Sequence, residues 1–150
     1  MASRLNKIMA STSQFHQFES LLNYEFKNKT LLELALTHRS FKGKNNERLE
    51  FLGDSILNFV VAELLFQKFP QSVEGDLSRL RSELVKASTL SEIGTEINIG
   101  NFLRLGEGEL KSAGWRRPSI LADTVEAVIG AIFLDSGKVD AQLIIKRWLD

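Results

Sequence analysis

Apolar residues return every third or fourth position along most of this 150-residue chain, the period of an amphipathic helix. No segment alternates apolar and polar residues convincingly enough to read as a strand. Residues 13–26 (SQFHQFESLLNYEF) and 28–41 (NKTLLELALTHRSF) each follow the helical period. The polar stretch 42–46 (KGKNN) reads as a loop, and Asn46 is a candidate N-cap for a helix beginning near Glu47. That helix is predicted to run through ERLEFLGDSILNFVVAELLFQKF and to stop before Pro70. After a second loop, PQSVEGD, residues 77–97 give one or two helices. Residues 98–118 carry four glycines and are expected to be mostly irregular. SILADTVEAVIGAIFLDSG is predicted as an apolar helix capped near Ser119 and ended by Gly137, with a final amphipathic helix over VDAQLIIKRWLD. The predicted fold is all-α.

Acids interrupt this pattern in two places. With Glu47 as the origin and about 100° per residue, Glu50 lies at about 300° and Asp54 at about 340°. The three share a sector of about 60°, while Leu49, Leu52, Ile56 and Phe59 lie on the opposite, core-seeking side. Acids in a first helical turn complement the helix dipole. That accounts for Glu47 and Glu50, but not for Asp54, two turns in. In ILADTVEAVIGAI, Asp123 and Glu126 share a face with the small residues Ala127 and Gly130, and Val125, Val128 and Ile132 point away. Small residues let a second helix approach. Packing the two acid faces together would gather carboxylates that repel one another unless cations neutralise them. Oxygen-only ligands favour hard ions, Mg²⁺ or Mn²⁺. The chemistry implied is metal-assisted hydrolysis of a phosphodiester. Two separate solvated acid faces, paired with lysine or arginine, are the alternative.

Composition narrows the field. Hydrophobic residues make up 43% of the chain, enough for one sizeable core. There is no cysteine, which excludes disulfides and thiolate metal sites and fits a reducing, cytoplasmic setting. Two histidines make a histidine-rich zinc site a poor fit. No apolar run approaches the roughly 20 residues of a membrane span. Nineteen basic and nineteen acidic residues cancel, so net charge does not announce a nucleic-acid partner. Residues 1–14 are expected to form a flexible N-terminal segment. No Ser/His/Asp arrangement competes with the acids, and GEGEL lacks the Gly-Lys-Ser ending of a phosphate-binding loop.

From about residue 15 to residue 150 the chain resembles bacterial ribonuclease III. NNERLEFLGDSIL is similar to that family's signature motif and LADTVEAVIGAIFLD to its second acidic motif. LALTHRSF, FPQSVEGDLSRLRSELV and LGEGELKSAG follow in the same order. The resemblance implies an all-α catalytic domain that works as a homodimer. It implies Mg²⁺-dependent cleavage of both strands of double-stranded RNA, leaving 5′-phosphate and 3′-hydroxyl ends with short 3′ overhangs. The cellular role implied is the processing of ribosomal and other structured RNA precursors. It assigns Glu50, Asp54, Asp123 and Glu126 as metal-binding and catalytic acids, with Glu126 the critical ligand. It places Glu47 and Glu74 along the cleavage valley, although Glu74 equally suits a helix start. It seats Phe51 in a socket of the partner subunit; on the helical wheel Phe51 lies beside the acids, where its ring is exposed in a monomer or packs on another helix of its own chain.

His38 and Arg39 in THRS match the family, and His38 is read as structural. Asn58 shares the acid face and could hydrogen-bond a carboxylate. Arg79, Arg81, Lys111, Arg116 and Arg117 are candidate phosphate contacts. Trp115 is not read as a stacking platform, because duplex RNA is recognised mainly by shape, 2′-hydroxyls and phosphates. Bacterial members usually continue into a double-stranded-RNA-binding domain, which these 150 residues do not include. Weak, salt-dependent RNA binding is therefore expected of them alone. Ala113 stands where the motif usually has glycine, with little effect expected. A non-catalytic RNA scaffold of the same fold would have lost these acids; an unrelated helical metal-binding protein would show no need for duplex RNA.

Overall fold

The computed structural model describes residues 3–150, with the side chains of residues 6–13 outside the description. The described residues form eight α-helices: α1 Arg4–Leu22, α2 Lys29–Ala35, α3 Glu47–Lys68, α4 Glu74–Val85, α5 Ala87–Glu96, α6 Glu107–Lys111, α7 Pro118–Ser136 and α8 Lys138–Leu149. Two 3₁₀ turns, Ile99–Phe102 and Gly114–Arg116, flank α6. The described residues contain no strand, only an isolated bridge between Thr37 and Arg104. The segment 77–97 resolves into two helices. Backbone helix begins at Arg4, within the segment expected to be flexible; Met1, Ala2 and the side chains of 6–13 lie outside the described residues.

Helix α7 is the axis of the fold. From Ile120 to Ile132 every residue except Asp123 is buried. A helix apolar all round belongs inside a bundle, and α3, α5, α2 and α8 pack against it. The α3 crossing is the closest. A Cβ on Gly53 would fall 1.7 Å from the Glu126 carbonyl oxygen, and one on Gly130 would fall 2.4 Å from that of Leu49. Gly130 was expected to permit such an approach, and Gly53 supplies the matching gap on α3.

This crossing corrects the expected core face of α3. Leu49, Gly53, Leu57, Val60, Val61 and Leu65 are buried, whereas Leu52 and Ile56 are half-buried and Phe59 is exposed. The wheel offered α3 two apolar faces, and the backbone approach at Gly53 selects the one nearer the acids. The other carries Phe51, Phe59 and Phe66, which are 78%, 53% and 73% exposed.

Several helix ends also differ from expectation. Helix α1 stops at Leu22 rather than Phe26, with Asn23 at φ 55° in the left-handed region that asparagine tolerates. Helix α2 stops at Ala35 because the chain then pairs with a distant strand-like segment. His38 N donates to Arg104 O (3.0 Å) and Arg104 N to Leu36 O (2.8 Å). Asn46 precedes α3 but does not cap it; its side-chain amide donates to Ala35 O at 3.0 Å, and Asn45 Oδ1 accepts the Glu47 N–H instead. Helix α7 starts at Pro118, whose fixed φ suits the first helical position, so Ser119 sits inside the first turn. Gly137 ends α7 at φ 97°, as expected. Ala113 has φ 58°. A left-handed alanine costs about 1 kcal/mol relative to glycine, which revises the expectation of little effect.

The α3–α7 contact predicts a large difference between two glycines. Gly53→Ala should lower unfolding stability in urea by about 3 kcal/mol or more. Gly75→Ala, whose Cβ meets nothing within 4 Å, should be neutral or stabilising by up to about 1 kcal/mol. Equal effects would refute the close approach.

Candidate active site

The backbone contact at Gly53 decides where the acids meet. Glu50 and Asp54 flank Gly53 on α3, one turn apart, and Asp123 and Glu126 lie one turn apart on α7. Glu50, Asp123 and Glu126 each present a carboxylate oxygen, and these oxygens lie within 4.8 Å of one another. Asp54 is exposed and lies close enough to Glu126 to act on its carboxyl. Asn58 Nδ2 donates to Asp54 O at 2.9 Å and approaches its Oδ1 at 3.4 Å, so Asn58 does touch a carboxylate.

Desolvation makes Glu50, Asp123 and Glu126 hard to ionise, and neighbouring negative charge adds to this at Glu50 and Glu126. Desolvation, then the hydrogen bond and charge of Asp54, push the Glu126 carboxyl up to about 9. Desolvation and the charge of Asp123 push Glu50 up to about 7. Asp123 is also raised by burial, against the opposing pull of the Glu50 hydrogen bond and of His38 and Arg39. None of the ion pairs among the described residues involves these four acids. The alternative of two solvated faces paired with lysine or arginine is therefore not the arrangement formed. An all-oxygen group that must take up protons when no cation is present fits a hard divalent ion.

Beside the acids is a cavity of about 190 Å³. Glu47, Glu50 and Asp123 line it together with His38, Arg39, Glu109 and Arg117, Asn46 and the start of α7. Glu74 is not brought to it. Glu74 is exposed in the first turn of α4 with Asp76, as the helix-start reading had it. Arg79 and Arg81 lie on α4, and Lys111 and Arg116 lie near the cavity in sequence without lining it. Of the candidate phosphate contacts only Arg117 does so. Arg39 and Glu109 had no assigned role in the sequence, since neither shares a helix with the acids. Arg104 holds the loop bearing His38 and Arg39 in place. It pairs with Glu33 and lies 4.5 Å from the centroid of the Phe41 ring.

This fold occurs in known proteins. A family model described as ribonuclease-III-like matches residues 28–150. The ribonuclease 3 of Vibrio cholerae is 57% identical over 137 residues, covering 91% of this chain and 61% of that protein. A nuclease-domain structure of ribonuclease III from Campylobacter jejuni superposes with a TM-score of 0.87 at 48% identity, covering 89% of this chain and 94% of that one. That structure is described as flexible in a region involved in dimer formation. Dicer from Pichia stipitis aligns with a TM-score of 0.61 at 33% identity, over 79% of this chain and 53% of that one. The chain belongs to the ribonuclease III family. It spans 60–61% of the length of the first curated relatives it matches. None of its described helices is long and apolar enough to cross a membrane.

The raised carboxyls fix a sign for pH dependence. Without a divalent ion the folded protein holds protons on Glu126 and Glu50 that the unfolded chain releases above the ordinary value of 4.5. The folded state then binds more protons than the unfolded one, so stability falls as pH rises from 4.5 through about 7 and on to about 9. Thermal melting in EDTA should give a Tm several degrees lower at pH about 9 than at pH about 5, with Mg²⁺ recovering the alkaline loss. A Tm in EDTA that rises across this window would overturn the assignment.

Proposed function

We propose that residues 15–150 are the catalytic unit of a nuclease that hydrolyses phosphodiester bonds of double-stranded RNA. The observation that carries this reading is the group Glu50, Asp123 and Glu126, drawn together from two helices with no basic side chain paired to it. These residues, with Asp54 beside Glu126, would hold Mg²⁺, with Mn²⁺ as a substitute. When bound, such an ion supplies positive charge to the phosphoryl oxygens and makes water a better nucleophile at neutral pH.

The chain's own residues supply the rest. Glu50, Asp123 and Glu126 present the ligand oxygens. Asp54 stands beside Glu126 and is itself steadied by Asn58. Water adds to phosphorus in line with the departing 3′ oxygen. The P–O3′ bond breaks and the 3′ oxygen takes up a proton, leaving 5′-phosphate and 3′-hydroxyl ends. Two such sites, related by a homodimer's two-fold axis, suit the two strands of an antiparallel duplex and give short 3′ overhangs. The exposed Phe51, Phe59 and Phe66 supply an apolar strip on α3 for that contact, with Phe51 seated in the partner. Glu47 and Glu74 are assigned to the valley so formed, and Arg79, Arg81, Lys111, Arg116 and Arg117 to phosphate contact. The cellular substrates proposed are ribosomal and other structured RNA precursors, in the cytoplasm.

Cleavage of an end-labelled RNA duplex tests the acids. Glu126→Gln keeps the side chain's size and should lower Mg²⁺-supported cleavage at least about 100-fold with the fold retained. Cleavage at the parental rate would overturn the ligand assignment. Sedimentation equilibrium tests the dimer: Phe51→Ala should weaken self-association by about 30-fold, as expected for a buried aromatic anchor. An unchanged dimer would remove Phe51 from the interface.

A further inference from the structure

The cavity beside the acids also has a wall that carries basic side chains, next to the carboxylates of Glu47 and Glu109. His38, Arg39 and Arg117 line it together with Glu50 and Asp123. The His38 ring is held by its own loop. Its Nδ1 accepts the Ser40 N–H at 3.1 Å and lies 2.8 Å from Ser40 Oγ, which in turn accepts the Gly106 N–H at 2.9 Å. In the neutral ring this places the hydrogen on Nε2, free to donate. Burial, with Arg39 and Arg117 nearby, favours that neutral form, against the pull of Glu109 and Asp123.

Arg117 is braced as well. One guanidinium nitrogen donates to Glu109 Oε2 at 2.8 Å and the other lies 3.4 Å from Ser112 Oγ. A planar guanidinium fixed along one edge keeps further donors for a ligand and loses little freedom in using them. Arg39 is exposed at the same wall.

Charge balance gives this wall a purpose. Three carboxylates set against one divalent ion leave a net negative charge, and a nucleic-acid strand running past the cut site brings further negative charge at its next phosphate. At these separations the repulsion is substantial in a partly buried cleft. We propose that His38, Arg39 and Arg117 form a phosphate-binding subsite that grips the phosphodiester adjacent to the bond being cut, on the same strand, and so fixes which linkage lies over the acids. This rests on the nuclease reading and deepens it. The cavity volume of about 190 Å³ suits a phosphodiester group, so the subsite reads the backbone rather than the bases. That agrees with recognition of duplex RNA by shape.

The test is equilibrium binding of a fluorescent RNA duplex, read by anisotropy in a Glu126→Gln background so that the RNA stays intact. Adding Arg39→Ala and Arg117→Ala should weaken binding by about 30-fold at low salt and reduce the slope of log affinity against log salt by about 2. Arg39→Lys with Arg117→Lys should recover the slope, because charge is kept, but only part of the affinity. A neutral methylphosphonate one linkage from the cut should weaken the Glu126→Gln protein and add nothing to the double-alanine protein. An unchanged salt slope, or a methylphosphonate effect equal in both, would overturn the subsite while leaving the nuclease reading intact. If the Glu126→Gln protein does not bind duplex RNA at low salt, the nuclease reading falls and the subsite with it. Should the double variant fail to fold by circular dichroism, Arg39→Ala alone carries the test, with a slope change of about 1.

Discussion

Two backbones meet where α3 crosses α7, with glycine on each side of the contact. Gly53 lies against the Glu126 carbonyl and Gly130 against that of Leu49. Nothing larger than hydrogen fits at either point, and the four principal acids are arranged around them. Glu50 and Asp54 flank Gly53 in sequence, while Glu126 contributes both the carbonyl that Gly53 touches and the carboxylate that Asp54 and Glu50 approach. The crossing that completes the core is therefore also the one that assembles the site.

This economy has an electrostatic cost. The apolar length of α7 from Ile120 to Ile132 supplies a large buried surface, and against that gain the fold tolerates Glu126 at 9% exposure with other acids as its neighbours. Local consistency is broken here: apolar packing favours the crossing and the carboxylates oppose it. Proteins commonly accept such conflicts where chemistry is done. On the opposing wall of the cavity Arg39 offsets part of the charge of Asp123, while Arg117 pairs with Glu109.

Much of this was readable in the sequence, because helical periodicity is strong over long segments. The lengths of α3 and α7, the pairing of Asp123 with Glu126, and the small residue at Gly130 all follow from spacing. Other features depend on tertiary contact and leave little local signal. Phe59 and Leu57 are both apolar and both suit a core face; only the approach at Gly53 decides that Leu57 goes inside. Asn46 is the cap that local sequence suggests, but its side chain is drawn to the Ala35 carbonyl and Asn45 accepts the Glu47 N–H instead. The helical period of residues 28–41 was real as a pattern, but the backbone bonds between Leu36, His38 and Arg104 took the chain out of helix after Ala35. Those same bonds bring His38 and Arg39 to the cavity, which is why the basic wall was not visible from spacing alone.

The double glycine crossing also limits how this protein can be switched. A lid or hinge can close a site without disturbing the interior, because the moving part is separate from the packed part. Here the acids sit on the two helices that share the most extensive packing in the molecule. Separating Glu50 from Glu126 means separating Leu49 from Gly130, and that opens the hydrophobic interior. Local opening and global unfolding thus become nearly the same event for this site. The folded domain has no inexpensive inactive shape reachable through that crossing. For the nuclease proposed above, control has to act from outside it, through supply of the cation, access of the substrate, or association between subunits.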